Sequence, residues 1–157
     1  MLTLCKEVAD YVRQALAELP SETKKSRRVP EVYVGPDLPL HKAGADKEAV
    51  FPYVLIIPEE GYDTRESGFV TFRLIFATYS GDDDGWIDAM NALQRVRVAF
   101  DSLTEGALPH GRIAEGEKGR QIEWALYDDH AYPHWFAFMR IHFEIGRAQF
   151  LPGKDQL

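Results

Sequence analysis

Four residues of this chain could hold a metal or run acid–base chemistry by their types and spacing: Asp128, Asp129, His130 and His134. A carboxylate beside an imidazole can ligate zinc or manganese, or act as a general base with its orienting partner. Here they flank Tyr132-Pro133, a dipeptide that turns the chain, and turns favour Asp through its hydrogen bonds to nearby backbone. The spacing matches no HExxH or comparable zinc motif. Two readings stand side by side. One is a small metal-dependent hydrolase using Asp128, His130 and His134; the other is a polar turn that carries surface histidines.

The other chemistry-bearing residues point to structure. Asp82, Asp83 and Asp84 are consecutive, whereas a calcium loop needs alternating acids and a distant Glu. A helical pattern follows them, so they fit a helix start, where carboxylates cap N–H groups and oppose the macrodipole. Lys24, Lys25, Arg27 and Arg28 form the dense basic cluster of the chain. Such a cluster touches phosphate, lies solvated in a loop, or faces an acidic neighbouring subunit. GxGxxG and GxxxxGK[ST] are absent, and Ser67, Ser80 and Ser102 lie in no nucleophile elbow. Cys5 is the single cysteine, which leaves no intramolecular disulfide or multi-cysteine metal site, and it fits the buried side of a helix. The expectation is no catalytic residue, no cofactor and no metal.

The elements that must position these groups read as α+β. Leu4, Val8, Tyr11, Val12, Ala15 and Leu19 recur at helical spacing, which predicts a helix over 3–19 with Thr3 as N-cap and Pro20 as its stop. VPEVYV at 29–34 alternates as a short strand, and 35–50 reads as a long loop. A strand over 53–57 is bracketed by Pro52 and Pro58; a broad loop joins it to a longer one over 68–79. In the latter, Val70, Phe72, Leu74 and Phe76 share a face, by the two-residue period of a strand. The spacing over 85–103 predicts a helix burying Trp86, Met90, Leu93, Val96 and Phe100 on that face, with Arg97 and Asp101 paired outside. GRIAEG reads as an edge strand. Strands over 120–127 and 134–146 form a second antiparallel pair, Trp135, Ala137, Met139, Ile141, Phe143 and Ile145 on one face. The sum is an antiparallel or mixed sheet of four to six strands with two main helices, in one domain over 1–157 with an irregular tail at 148–157.

Composition agrees with a globular domain. The chain has 157 residues, 45% hydrophobic and 27% charged, enough to bury a sizeable core. No apolar run approaches the ~20 residues of a membrane span. The start, MLTLCKEVADYVRQ, lacks the basic opening and apolar block of a signal peptide. A net charge of −7 argues against holding nucleic acid by bulk electrostatics. A module binding nucleic acid through Lys24–Arg28 remains the third reading.

Several stretches occur in an order that resembles the tail-completion (tail terminator or neck) proteins of tailed bacteriophages. They are the Pro-bracketed FPYVLIIPEEG at 51–61, the strand ending in TYS followed by GDDDGWIDAMNALQRVR at 78–97, Trp124–Leu126, and YPHWFAFM opening the strand over 132–145. The resemblance covers roughly residues 50–146. It implies a structural protein that caps the finished tail tube and faces the head–tail connector, α+β and often hexameric. Its expected partners are other copies of itself in a ring, the tail-tube protein and the connector proteins, with no membrane and no specific nucleic acid. The expected places are the bacterial host cytoplasm during assembly and the virion tail.

A ring contact is head-to-tail, so it needs two different patches per subunit. The candidates are basic Lys24, Lys25, Arg27 and Arg28 against acidic Glu59, Glu60, Asp82, Asp83 and Asp84. Tyr62, Tyr132 and Phe136 are the candidate apolar contacts, since aromatics are enriched at interfaces.

Overall fold

The computed structural model describes residues 1–17, 29–39, 50–116, 118–129 and 132–146. Helix α1 (Leu2–Ala17) buries Leu4, Cys5, Val8, Ala9, Val12 and Leu16, one stripe at three- and four-residue spacing. It starts one residue before the expected position, so Thr3 lies inside the helix and does not cap it. Tyr11 reaches across to α2 (Gly85–Asp101) and donates its hydroxyl to the Ala99 carbonyl. Leu19, Pro20, the run Lys24–Arg28, most of the 35–50 loop and the 148–157 tail lie outside the described residues.

The strands are β1 (Glu31–Val34), β2 (Tyr53–Asp63), β3 (Ser67–Tyr79), β4 (Ala107–Leu108), β5 (Gly111–Ile113), β6 (Ile122–Leu126) and β7 (His134–Gly146). They form one mixed sheet in the order β1-β2-β3-β7-β5-β4, with β6 also on β7. β1 and β2 are parallel and the other pairs antiparallel. β5 and β6 share one edge of β7: Ile113 pairs Phe143, then Ile122 to Leu126 pair Ile141 to Ala137. With two helices against this sheet the fold is α+β, and the described residues run on as one body of strands.

The hairpin of β2 and β3 differs from the expectation in two ways. β2 and β3 continue to Asp63 and Ser67, so the broad loop is a tight turn. Thr64 closes it, its Oγ1 accepting from the Glu66 and Ser67 amides at 3.3 and 3.1 Å. Pro58 lies within β2, beside a register shift between Pro58 and Glu60. The sheet tolerates it because β1 pairs only Tyr53–Ile56, which leaves Pro58 on an edge.

One face of the sheet carries the main core. Val54 and Ile56, then Val70, Phe72, Leu74 and Phe76, then Ala137, Met139, Ile141 and Phe143 are buried under α1 and α2. From α2 come Ala89, Ala92, Leu93, Val96 and Phe100, as the spacing predicts for Leu93, Val96 and Phe100. Met90 is only partly buried. Trp86 is 41% exposed, contrary to expectation. The space under the first turn of α2 is already filled: a Cβ on Gly85 would stand 2.2 Å from the indole Nε1 of Trp135. Arg97 bonds Gln94 Oε1 at 2.6 Å and lies 5.1 Å over the Trp124 ring instead of pairing with Asp101.

Candidate interaction surface

Neither α1 nor α2 packs on the opposite face of the sheet, and β2, β3 and β7 pattern it in two halves. At one end Tyr53, Leu55, Ala77 and Val50 are buried, with Tyr33, Leu38, Phe51, Ile57, Ile75 and Phe136 packed around them. At the other end the same strands present Arg73, Thr71, Arg140 and His142. Arg73 and Arg140 both bind Glu59, Arg140 at 3.0 Å, and Arg140 also binds Glu60 at 2.8 Å. Glu123 of β6 stands 3.8 Å from Arg140 and 3.7 Å from His142. His142 Nδ1 shares a hydrogen bond with Thr71 Oγ1 at 2.8 Å. Two like charges, Arg73 and Arg140, sit at paired positions of β3 and β7, and the carboxylate between them offsets their repulsion. Glu59 and Glu60 are therefore engaged within the subunit. The register shift in β2 aims Glu59 at these arginines, and that shift has no mark in the sequence beyond Pro58.

A second constructed region is the corner where the turn before α2 meets the start of β7. The Ser80 amide donates to the Pro133 carbonyl at 3.0 Å. Trp135 Nε1 donates to the Ser80 carbonyl at 3.0 Å, and the Tyr132 hydroxyl to the Gly81 carbonyl at 2.6 Å. The Tyr132 and Trp135 rings meet edge to face at 6.2 Å. Gly85 is required because any side chain there would strike that indole. The corner holds Asp82, Asp83 and Asp84 at the surface with the exposed Trp86, Ile87, Tyr79 and Tyr132 around them. The expected capping role is corrected: Asp84 occupies the N-cap position of α2 but makes no side-chain cap hydrogen bond. The acids still sit at the positive end of the helix, where the dipole favours them.

The remaining candidates fall apart spatially. Tyr62 is 45% exposed and stacks on Phe69 at 4.8 Å, at the hairpin end of the sheet. Phe136 is partly buried in the second cluster, in ring contact with Phe51 and Tyr127. Asp128 and Asp129 are exposed beyond β6, and His130 lies outside the described residues. His134 sits between the rings of Phe51 and Tyr79, centroids 5.0 and 5.2 Å away, and its Nδ1 is buried without a hydrogen-bond partner. Among the described residues no group of three or more His, Cys, Asp or Glu could hold a metal ion. No helix among them is long and apolar enough to cross a membrane.

Near β1 the open face holds a depression of about 470 Å³ lined by Pro36, Asp37, Tyr53, Leu55, Ile57, Ile75, Tyr127, Asp129 and Phe136. Burial, and then the nearby Asp37 carboxylate, raise the Tyr53 phenol above its ordinary value. Sequence reasoning missed this depression, because Asp37 and Asp129 are far apart in the chain and converge only through β2 and β6. A comparison with protein-family models and a search of curated proteins each found no match.

Proposed function

We propose that this chain is a tail-completion protein of a tailed bacteriophage or prophage, closing the end of the tail tube and docking to the head–tail connector. It works by assembly: copies form a homo-oligomeric ring, a hexamer, and the ring presents a contact surface to the tube. The observation that carries this reading is the corner at Gly85. The two stretches that most carry the family resemblance, GDDDGW and YPHWF, lie some fifty residues apart in sequence and interlock through Ser80, Gly81, Tyr132, Pro133 and Trp135. Their shared product is a braced turn that exposes acids and aromatics together, a composition suited to a partner contact and to no bond-making step. The hydrolase reading gains no comparable support, since His134 is enclosed by aromatic rings and Asp128 and Asp129 are exposed.

The test is assembly on tail tubes. Purified protein added to polymerising tail-tube protein is expected to stop elongation and to appear as a ring at one tube end in electron micrographs. Protein that neither binds tube ends nor limits tube length contradicts the tail-terminator role.

A further inference from the structure

The open sheet face carries a concavity with two unlike walls. Its floor is aromatic and aliphatic: Tyr53 and Leu55 are buried, and Ile57, Ile75, Tyr127 and Phe136 are half-buried. Its rim holds two exposed carboxylates, Asp37 and Asp129, and among the described residues no cation pairs with either. A volume of about 470 Å³ admits one or two long side chains. An apolar floor under an acidic rim suits a lysine or arginine, whose stem packs on apolar surface while its charged head meets the acid. Aromatic faces add cation–π attraction.

Building on the ring reading, we propose that this depression accepts the basic run Lys24–Arg28 of a neighbouring copy. The chain is acidic overall, and this run is its dense basic cluster, so a second copy supplies the complementary charge. Of the other acids on this face, Glu59, Glu60 and Glu123 stand against Arg73 or Arg140, and Glu144 accepts from the Ser67 hydroxyl at 2.6 Å. A second copy is favoured over the same copy by topology. The run leaves α1, whose end is tied to α2 by the Arg95 Nε bond to the Ala15 carbonyl on the helix-covered side, and it enters β1 at the sheet edge. The depression opens on the other face. A basic run on one subunit and an acidic depression on the next are two unlike patches, as a cyclic ring requires.

A synthetic peptide of residues 22–30, ETKKSRRVP, titrated calorimetrically into the full-length protein tests this directly. The expected result is saturable binding that weakens with added salt and falls about tenfold or more in the Asp37→Lys/Asp129→Lys variant. Asp101→Lys, on α2 and away from the depression, is expected to leave it unchanged, and thermal melting confirms that each variant is folded. No binding, or binding indifferent to the double reversal, overturns the proposal. So does a change in the NMR signals of Lys24–Arg28 on reversing Asp37 and Asp129 in monomeric protein, since the run then fills its own subunit's site. Tube capping separates this from the ring reading: if the double reversal caps tubes as wild type does, the proposal fails and the ring stands. If wild type caps nothing, the tail-terminator role fails while the peptide titration still decides this contact.

Discussion

The two faces of this sheet are made by alternate residues of the same three strands, yet they follow different rules. In β3, Phe72 and Leu74 are fully buried under helices, while Arg73 between them meets Glu59 on the open side. The helix-covered face is apolar from Val70 to Phe76 and from Ala137 to Phe143, and at its end Thr78 is buried with no hydrogen-bond partner for its Oγ1. The open face divides into an aromatic half around Tyr53 and Phe136 and an ionic half around Arg140. The lesson is a division of labour: the covered face holds the larger buried cluster, and the open face divides between a smaller buried cluster and ion pairs, with the contact role of the adjoining corner a proposal. An antiparallel sheet can leave one face to water, so the ionic half needs no cover. The aromatic half is a second buried cluster, whereas the corner exposes Tyr79, Trp86, Ile87 and Tyr132.

The sharpest way to break this division is to damage the covered face. Leu93→Ala is expected to cost about 2–5 kcal/mol, and Phe72→Ala about 3–5 kcal/mol, read by denaturant unfolding. A Leu93→Ala protein that unfolds like wild type would mean α2 does not pack where described. Gly85→Val is expected next, at about 1–3 kcal/mol, because its side chain must displace the Trp135 indole. A shift in tryptophan emission should accompany that loss.

Alkali should act through both faces. Burial raises the Tyr11 phenol, and burial with Asp37 raises that of Tyr53. A group whose pKa is higher folded than unfolded stabilises fully below its unfolded value, ~10 for tyrosine. Stability is then lost as pH climbs from there through the raised folded values. Asp37→Asn should lower the Tyr53 ionisation in a spectrophotometric titration and leave Tyr11 unmoved. On the ionic half, Arg140→Ala is expected to cost only about 1 kcal/mol, because its partners are partly solvated and screened. An effect as large as that of Leu93→Ala would erase the contrast between the faces. The smallest effect is expected at Asp83→Ala, within about 0.5 kcal/mol of wild type.

The covered face was legible in the sequence because burial leaves a period. Two-residue alternation in Val70–Phe76 and Ala137–Phe143, and helical spacing in Leu93, Val96 and Phe100, located the core. Cys5 was read as a buried residue by the same means, and burial does raise its thiol pKa. The same two-residue period puts Phe136, Phe138, Arg140, His142 and Glu144 on the open face of β7, but it does not name their partners. Pairing Arg140 with Glu59 depends on a register shift in β2, and pairing it with Glu123 depends on β6 lying along β7. Trp86 was misplaced because periodicity cannot tell that Trp135, from a distant strand, occupies the space first. The acidic turn was located, yet its attachment to Tyr132 and Trp135 is a long-range contact that no local pattern encodes.

The most direct test of the account is the fraction of tail-tube ends capped by an Asp83→Lys/Trp86→Ala variant, counted in electron micrographs beside wild type and beside Leu93→Ala. Asp83 and Trp86 are exposed at the corner, whereas Leu93 is in the core. The account predicts that the corner variant unfolds at the wild-type midpoint and leaves tube ends bare. Leu93→Ala should lose stability yet still cap ends at temperatures where it stays folded. A corner variant that caps tubes as fully as wild type would contradict the claim that this surface makes the contact.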